Sequence, residues 1–292
     1  MATVLTTIFT YVDDFCQAQP IKRRSGPEPE VSDSEVITAA LWCELVGIAS
    51  EHEQVRFVET YLRPFFPRFL DRSRYHRRRS VMAGTFERMR RMVLAELPLA
   101  LQDLHILDST PVPVMCFRRS GLTPLFPEAA YGYCAAKREH YFGFKLHLVV
   151  DRTGIPLHFE LTPANVADGS MSEELLTVSS AGHVVLGDKG YLSQKTQTQL
   201  FSRQGTLLLT PTRRNQKRRE SKAERDLLNA WRQRIEVVNA MLKDRFEIGA
   251  TLAKTLKGLV VRLVAKLTAF VFGIFINRLH GRPPLALADW AV

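Results

Sequence analysis

Apolar residues in the first hundred positions recur at intervals of three and four. Ile37, Leu41, Leu45 and Ile48 make one such stripe, and Met82, Phe86, Met89 and Val93 make another. Side chains spaced this way share one face of an α-helix, so both stretches predict amphipathic helices. Ser32 and Glu35 fit a capping box that starts the first of them. Between the stripes, Arg63-Pro64-Phe65-Phe66-Pro67-Arg68 breaks the period, and residues 73–80 read as a basic connector. From about residue 103 the texture changes. Residues 104–114 are a short apolar run ending in prolines. Residues 143–151 and 155–162 alternate apolar and polar around the turn 152–154, which predicts a hairpin. Residues 183–188 and 206–210 are short apolar runs of the buried-strand kind. Helices are expected over 172–181, 194–203, 221–246 and 252–279, and a long loop over 117–142. The expected division is a helical region 1–100, a mixed α/β region 101–250, and a C-terminal helix within 251–292 packing on the latter.

The chain has 292 residues, 46% of them hydrophobic and 24% charged, which is an ordinary globular composition. Its net charge is +10, which favours a polyanionic partner, nucleic acid before an anionic membrane. Charge is also uneven. Residues 1–100, 101–200 and 201–292 carry +1, −2 and +11, and residues 56–91 alone hold 11 Arg against 3 acids. Two basic regions thus flank a slightly acidic centre. Four widely spaced cysteines without a CxxC pair read as reduced thiols, not as a disulfide frame or a zinc site. The N-terminus lacks the pattern of a secretory signal. The most apolar stretch, 259–276, contains Arg262 and Lys266. Its longest uncharged piece is about half the roughly 20 residues that a membrane span needs. A buried helix, no membrane and a cytoplasmic location are therefore expected.

Two acids stand at unusual places. Asp108 follows Ile106 and Leu107 within an apolar run, and Asp188 ends the run Val184-Val185-Leu186-Gly187. A carboxylate in a buried strand is costly unless it is paired or bound to metal. Each alone is equally readable as a hydrogen-bonded core acid or a turn residue. Two on adjacent strands lie a few ångströms apart, and a divalent cation is the common solution to that repulsion. Asp168 and Asp151 are rivals for the second place. Arg232, Glu236 and Lys243 fall within about 60° of one another on the long helix. A solvated ion-paired face is the plainer reading of that helix taken alone. Its place after the fifth strand, however, brings it to the ends of the strands that carry Asp108 and Asp188. Glu247 is a poorer third acid, since the helix is expected to end before it.

The element order β-β-β-α-β-α-β-α is similar to the ribonuclease H-like topology. It predicts a mixed five-stranded sheet with helices, preceded by an all-helical N-terminal domain. Asp108 in LDSTPVPV, Asp188 in GDKGY and the helix motif Arg232-x3-Glu236-x6-Lys243 resemble the DDE transposases of bacterial insertion sequences. The resemblance is nearest to the insertion-sequence-982 type, with relatives in the insertion-sequence-4 and -5 groups. SDSEVITAALW, FPRFLDRSRYHRRR, GFKLHLVVD and TPANVADGS fit in the same order, so it spans about residues 30–280. Related families often place Tyr three residues before the Arg of the helix motif, and here that position is Asn229.

The resemblance implies Asp108, Asp188 and Glu236 as catalytic metal ligands. It also implies two Mg²⁺ ions, for which Mn²⁺ can substitute. The implied reaction is hydrolysis at terminal inverted repeats to give 3′-OH ends, then strand transfer into target DNA. A homodimer on DNA is expected, because transposition joins two ends. Phosphate contacts are expected from Arg232 and Lys243, from Lys189 and Tyr191, from Arg77, Arg78 and Arg79, and from Arg213, Arg214, Arg218 and Arg219. Two alternatives stay open: a ribonuclease H-like nuclease or resolvase without strand transfer, and an inactive transposase-derived repressor.

Overall fold

The Ser32 hydroxyl accepts from the Glu35 amide while the Glu35 carboxylate accepts from the Ser32 amide, closing the expected capping box. It opens the second of nine helices among the residues described by the computed structural model, which are 2–21, 28–97, 104–122, 125–135, 137–179, 181–212 and 221–287. In chain order the elements are α1 (Ala2–Ala18), α2 (Asp33–Leu45), α3 (Glu51–Tyr61), α4 (Arg72–Arg79), α5 (Ala83–Glu96), β1 (Leu104–Met115), β2 (Ala130–Cys134), β3 (Glu139–Asp151), β4 (Pro156–Pro163), α6 (Asp168–Ser179), β5 (Val184–Gly187), α7 (Gln194–Gln204), β6 (Leu207–Leu209), α8 (Lys222–Asp244) and α9 (Leu256–Leu279). They form two compact units, one of Met1–Leu97 with Leu242–Val292 and one of Pro98–Met241.

The first unit is all-helical. α2 is buried along nearly its whole length, with Trp42 and Leu41 in the core, so it is the central helix. α9 is apolar on every face, and it finds partners on every face. It packs on α2 and α5, and its side chains from Leu263 to Asn277 are buried. Gly273 lets it approach closely, since a Cβ there would lie 2.7 Å from Leu287 and 3.1 Å from Leu45. The helix expected within 251–292 is thus part of the N-terminal helical unit. The basic connector expected at 73–80 is also a helix. Asp71 caps α4 by accepting from the Ser73 and Arg74 amides.

The second unit is a mixed sheet with helices, in keeping with the ribonuclease H-like architecture expected. β1 is its axis, antiparallel to β3 on one side and parallel to β5 on the other, with β6 parallel outside β5. The outer edge of β3 is shared end to end. β2 pairs with residues 139–143 and β4 with residues 144–150. β2 and the start of β3 lie in the stretch expected to be a loop, so the sheet has six strands and not five. β1 covers the apolar run expected at 104–114, its two prolines Pro111 and Pro113 included, and ends at Met115. β5 pairs only with Leu104–Leu107, so beyond that point β1 has an open edge where a missing N–H costs no ladder bond. Leu107, Val149, Leu175, Leu176, Val185, Leu200 and Leu208 form the core on one face of the sheet.

Candidate active site

The parallel strands β1 and β5 part after the pair Leu107–Gly187, and the next residue on each is an aspartate. Neighbouring strands run about 4.8 Å apart, so this register alone sets Asp108 beside Asp188. α8 crosses the same place. Asp108, Asp188, Arg232 and Glu236 line one cavity together with Asn229 and Pro211. Four of the residues singled out in the sequence thus share one site.

Each carboxylate is held differently. Asp108 accepts from the Asn239 amide at 2.8 Å and from the Ser109 backbone N–H at 2.8 Å. Asn239 is buried, and its amide oxygen has no hydrogen-bond partner among the described residues. Asp188 accepts from the Gly190 amide at 2.8 Å and starts a 3₁₀ turn. A Cβ on Gly190 would lie 2.8 Å from the Asp168 carboxylate and 3.0 Å from that of Asp188. The second glycine-bearing half of GDKGY is therefore a matter of space between two acids. Glu236 is exposed and forms a 2.9 Å ion pair with Arg232, one turn away. Such an exposed i,i+4 pair is worth about 0.3–0.5 kcal/mol. It holds Glu236 only weakly, and a stronger cation can take the carboxylate.

The rivals of Asp188 have other partners. Asp151 is buried and accepts from the Thr153 and Ile155 amides, a turn role. Asp168 starts α6 and accepts from Lys145 Nζ at 2.8 Å and from Ser109 Oγ at 3.1 Å. Glu247 lies past the end of α8 with a left-handed backbone, φ 47°.

Other expected contacts are corrected. Tyr191 is fully buried in the core face of the sheet, its hydroxyl 3.1 Å from His147 Nδ1, so it is not a DNA contact. Burial first, then the charges of Asp168 and Asp108, push its phenol well above the usual range. Burial also lowers His147 to about 4. Arg79 is fully buried with Glu44, and Arg78 is half-buried with Asp33 and the Val31 carbonyl, so neither guanidinium is offered to phosphate. Both are used inside the helical unit. Arg77, Lys189 and Lys243 are exposed. Arg213, Arg214, Arg218 and Arg219 lie outside the described residues.

The sequence reading missed Asn239, Ser109, Lys145 and His147. Asn239 sits three residues after Glu236 on the same helix face, a visible signal. The strand residues had none, because polar positions in an alternating strand are expected to face solvent.

The residues present suit a hard divalent cation in donor type. Asp108 and Asp188 are adjacent oxygen donors, and Asn239 adds a buried amide oxygen without a partner. Among the described residues no three acidic or imidazole side chains already form a closed cluster, because Glu236 is turned to Arg232.

Fold and site together define a class: a ribonuclease H-like protein with acids gathered where its central parallel strands part. A family model, the transposase DDE domain, matches residues 100–255, just over half of the chain. The chain belongs to this family of DDE transposases. No curated protein and no solved structure matches it.

Proposed function

We propose that this protein is the transposase of a bacterial insertion sequence, nearest the insertion-sequence-982 type, acting in the cytoplasm on its own terminal inverted repeats. The observation that carries the reading is the single cavity lined by Asp108, Asp188 and Glu236. Water would attack a phosphate at the element's end and release a 3′-OH, which would then attack a phosphate of target DNA. Both are in-line phosphoryl transfers, so one site serves both, by positioning and charge neutralisation.

Asp108 and Asp188 would hold divalent cations, with Glu236 joining after it leaves Arg232. Bound Mg²⁺ or Mn²⁺, two ions per site, supplies charge neutralisation at the phosphate and a more acidic attacking water. Asn239 would keep Asp108 in its rotamer by donating to one carboxylate oxygen while the Ser109 N–H donates to the other. Arg232, once released, is free for a DNA phosphate. Lys189, Lys243 and Arg77 are exposed cations that would add to phosphate binding. A homodimer would bring two ends together.

The test is a cleavage and joining assay on labelled DNA carrying the ends that flank the protein's own gene, with Mg²⁺, Mn²⁺ or EDTA. Metal-dependent 3′-OH ends and joined products are expected. Asp108→Asn, Asp188→Asn and Glu236→Gln should each abolish them while leaving DNA affinity within about threefold. Cleavage without joining reduces the protein to a nuclease. Tight binding with neither product makes it a repressor.

A further inference from the structure

The hairpin of β2 and β3 carries a second surface, away from the carboxylates. Past the pair Met115–Phe142, β1 no longer accompanies β3, and residues 131–134 and 139–141 form a two-stranded ribbon. One face of the ribbon is seated. Tyr141 is buried there, and Gly132 fits so closely that a Cβ would lie 2.8 Å from that of Ala164. The other face is aromatic and open. Tyr131 and Tyr133 alternate along β2, Tyr131 over the buried Phe142 and Tyr133 opposite the exposed His140, at ring distances of 5.0 Å for both pairs. Phe117 adds a ring 5.5 Å from Tyr131 and 6.2 Å from His140. Phe117, Tyr131 and Tyr133 are 47%, 51% and 56% exposed.

Burying large aromatic surface is what stabilises a fold, so a clustered exposed set is a signature of binding. Charge indicates the partner. Residues 117–142 hold Arg118, Arg119, Lys137 and Arg138 against Glu128 and Glu139, a net +2 inside a hundred-residue stretch that is net −2. Open rings among cations suit a polyanion that carries flat π-faces, which is single-stranded nucleic acid. A duplex does not offer those faces, because its bases cover one another. Position agrees. Asp108 is paired with Leu148, and residues 148, 142 and 140 have the same parity, so the rings lie on the face of β3 that carries Asp108. Six to eight residues of strand are about 20–26 Å, the length of roughly six to eight base pairs.

We propose that the face formed by Phe117, Tyr131, Tyr133 and His140 is a stacking platform for unpaired bases of the DNA strand that runs past the carboxylate site. The proposal rests on the transposase reading for the identity of the polymer and adds the state of the strand.

The test uses the full-length protein, a 20-nucleotide oligo-dT and a blunt 20-base-pair duplex, at a salt concentration that screens phosphate contacts. The double substitution Phe117→Ala with Tyr133→Ala should weaken oligo-dT binding about 5- to 150-fold per stacked base and leave duplex binding unchanged. Tyr133→Phe, which keeps the ring, and Phe201→Ala, which removes an exposed ring on α7, should bind as the unaltered protein does. A 2-aminopurine placed in the oligonucleotide should be quenched by the unaltered protein, a readout that needs no variant to fold. Equal oligo-dT affinity with and without the rings, equal weakening toward duplex, or unquenched 2-aminopurine overturns the proposal. A dimer lost in the double variant with oligo-dT affinity intact overturns it also, and assigns the face to a second copy of the chain. Metal-dependent cleavage of duplex ends, assayed in parallel, separates the two readings. If cleavage persists without stacking, only the platform fails. If the unaltered protein neither binds nor cuts DNA, both fail.

Discussion

Asn239 and Asp108 are 131 positions apart in the chain and 2.8 Å apart in space. A hydrogen bond to a ligating carboxylate fixes its rotamer, and removing such a partner typically costs 10–100-fold in metal affinity. Asn239→Ala is accordingly expected to raise the Mg²⁺ concentration for half-maximal cleavage about 10- to 100-fold. DNA affinity measured in EDTA should not change. Behind the site, His147 touches Tyr191 and Thr162 in a buried polar row. Burial lowers His147 to about 4, and burial with the neighbouring His183 does the same for His105. An unfolded histidine titrates near 6.5. The unfolded chain therefore binds more protons than the folded one between about pH 4 and 6.5. This part of the stability is complete above pH 6.5 and is lost as pH falls toward 4. Melting temperature measured across that window should fall less steeply for His147→Gln than for the unaltered chain.

At the scale of elements, α4 shows how burial overrides composition. Its sequence RSRYHRRR reads as a solvated cationic surface. Yet the helix turns Tyr75 and Arg79 inward, where Tyr75 and Arg79 both reach Gln54 and Arg79 pairs with Glu44. Lys266 of α9 reaches the other Glu44 oxygen at 2.7 Å. One buried carboxylate thus serves cations from two helices. Removing one partner of a buried ion pair typically costs 3–5 kcal/mol, because the remaining charge keeps its desolvation penalty. Glu44→Ala takes that carboxylate from Lys266 and leaves Arg79 with Gln54 and the more distant Glu51, and should destabilise the helical unit by about that much. A lower urea midpoint for the unit checks it. The same element-scale logic explains the missed strand β2. Its AYGYC carries exposed tyrosines and a glycine needed for close approach to Ala164, so hydrophobic alternation could not announce it.

For the whole molecule, the helical unit is discontinuous in sequence. Its last element, α9, follows the entire catalytic unit along the chain. By length and hydropathy α9 could cross a membrane, yet most of its residues are buried. A fully buried Leu, Ile, Val or Phe contributes about 1.5–3 kcal/mol. A chain ended at residue 250 would lack a dozen or so such side chains and would expose the faces of α2 and α5 that cover them. It should be insoluble, or bind a hydrophobic dye strongly in solution, where the complete chain does not.

Local signals were enough for the order of strands and helices in the catalytic unit apart from β2, for the capping box at Ser32, and for the two aspartates at apolar runs. Hydrophobic period and the cost of a charge in a strand are properties of a few neighbouring residues, so they can be read along the chain. The DDE family was legible for the same reason, since its motifs are short and kept in order. Tertiary structure alone decided which cations stay on the surface. Arg77 and Arg79 are two positions apart in one arginine run, and the phase of α4 against α2 exposes the first and buries the second. It also decided that Tyr191 belongs to the core, that Asn239 meets Asp108, and that α9 joins the helical unit. Each of these depends on which surfaces meet across tens to hundreds of residues, and burial and pairing energies are fixed only when they do.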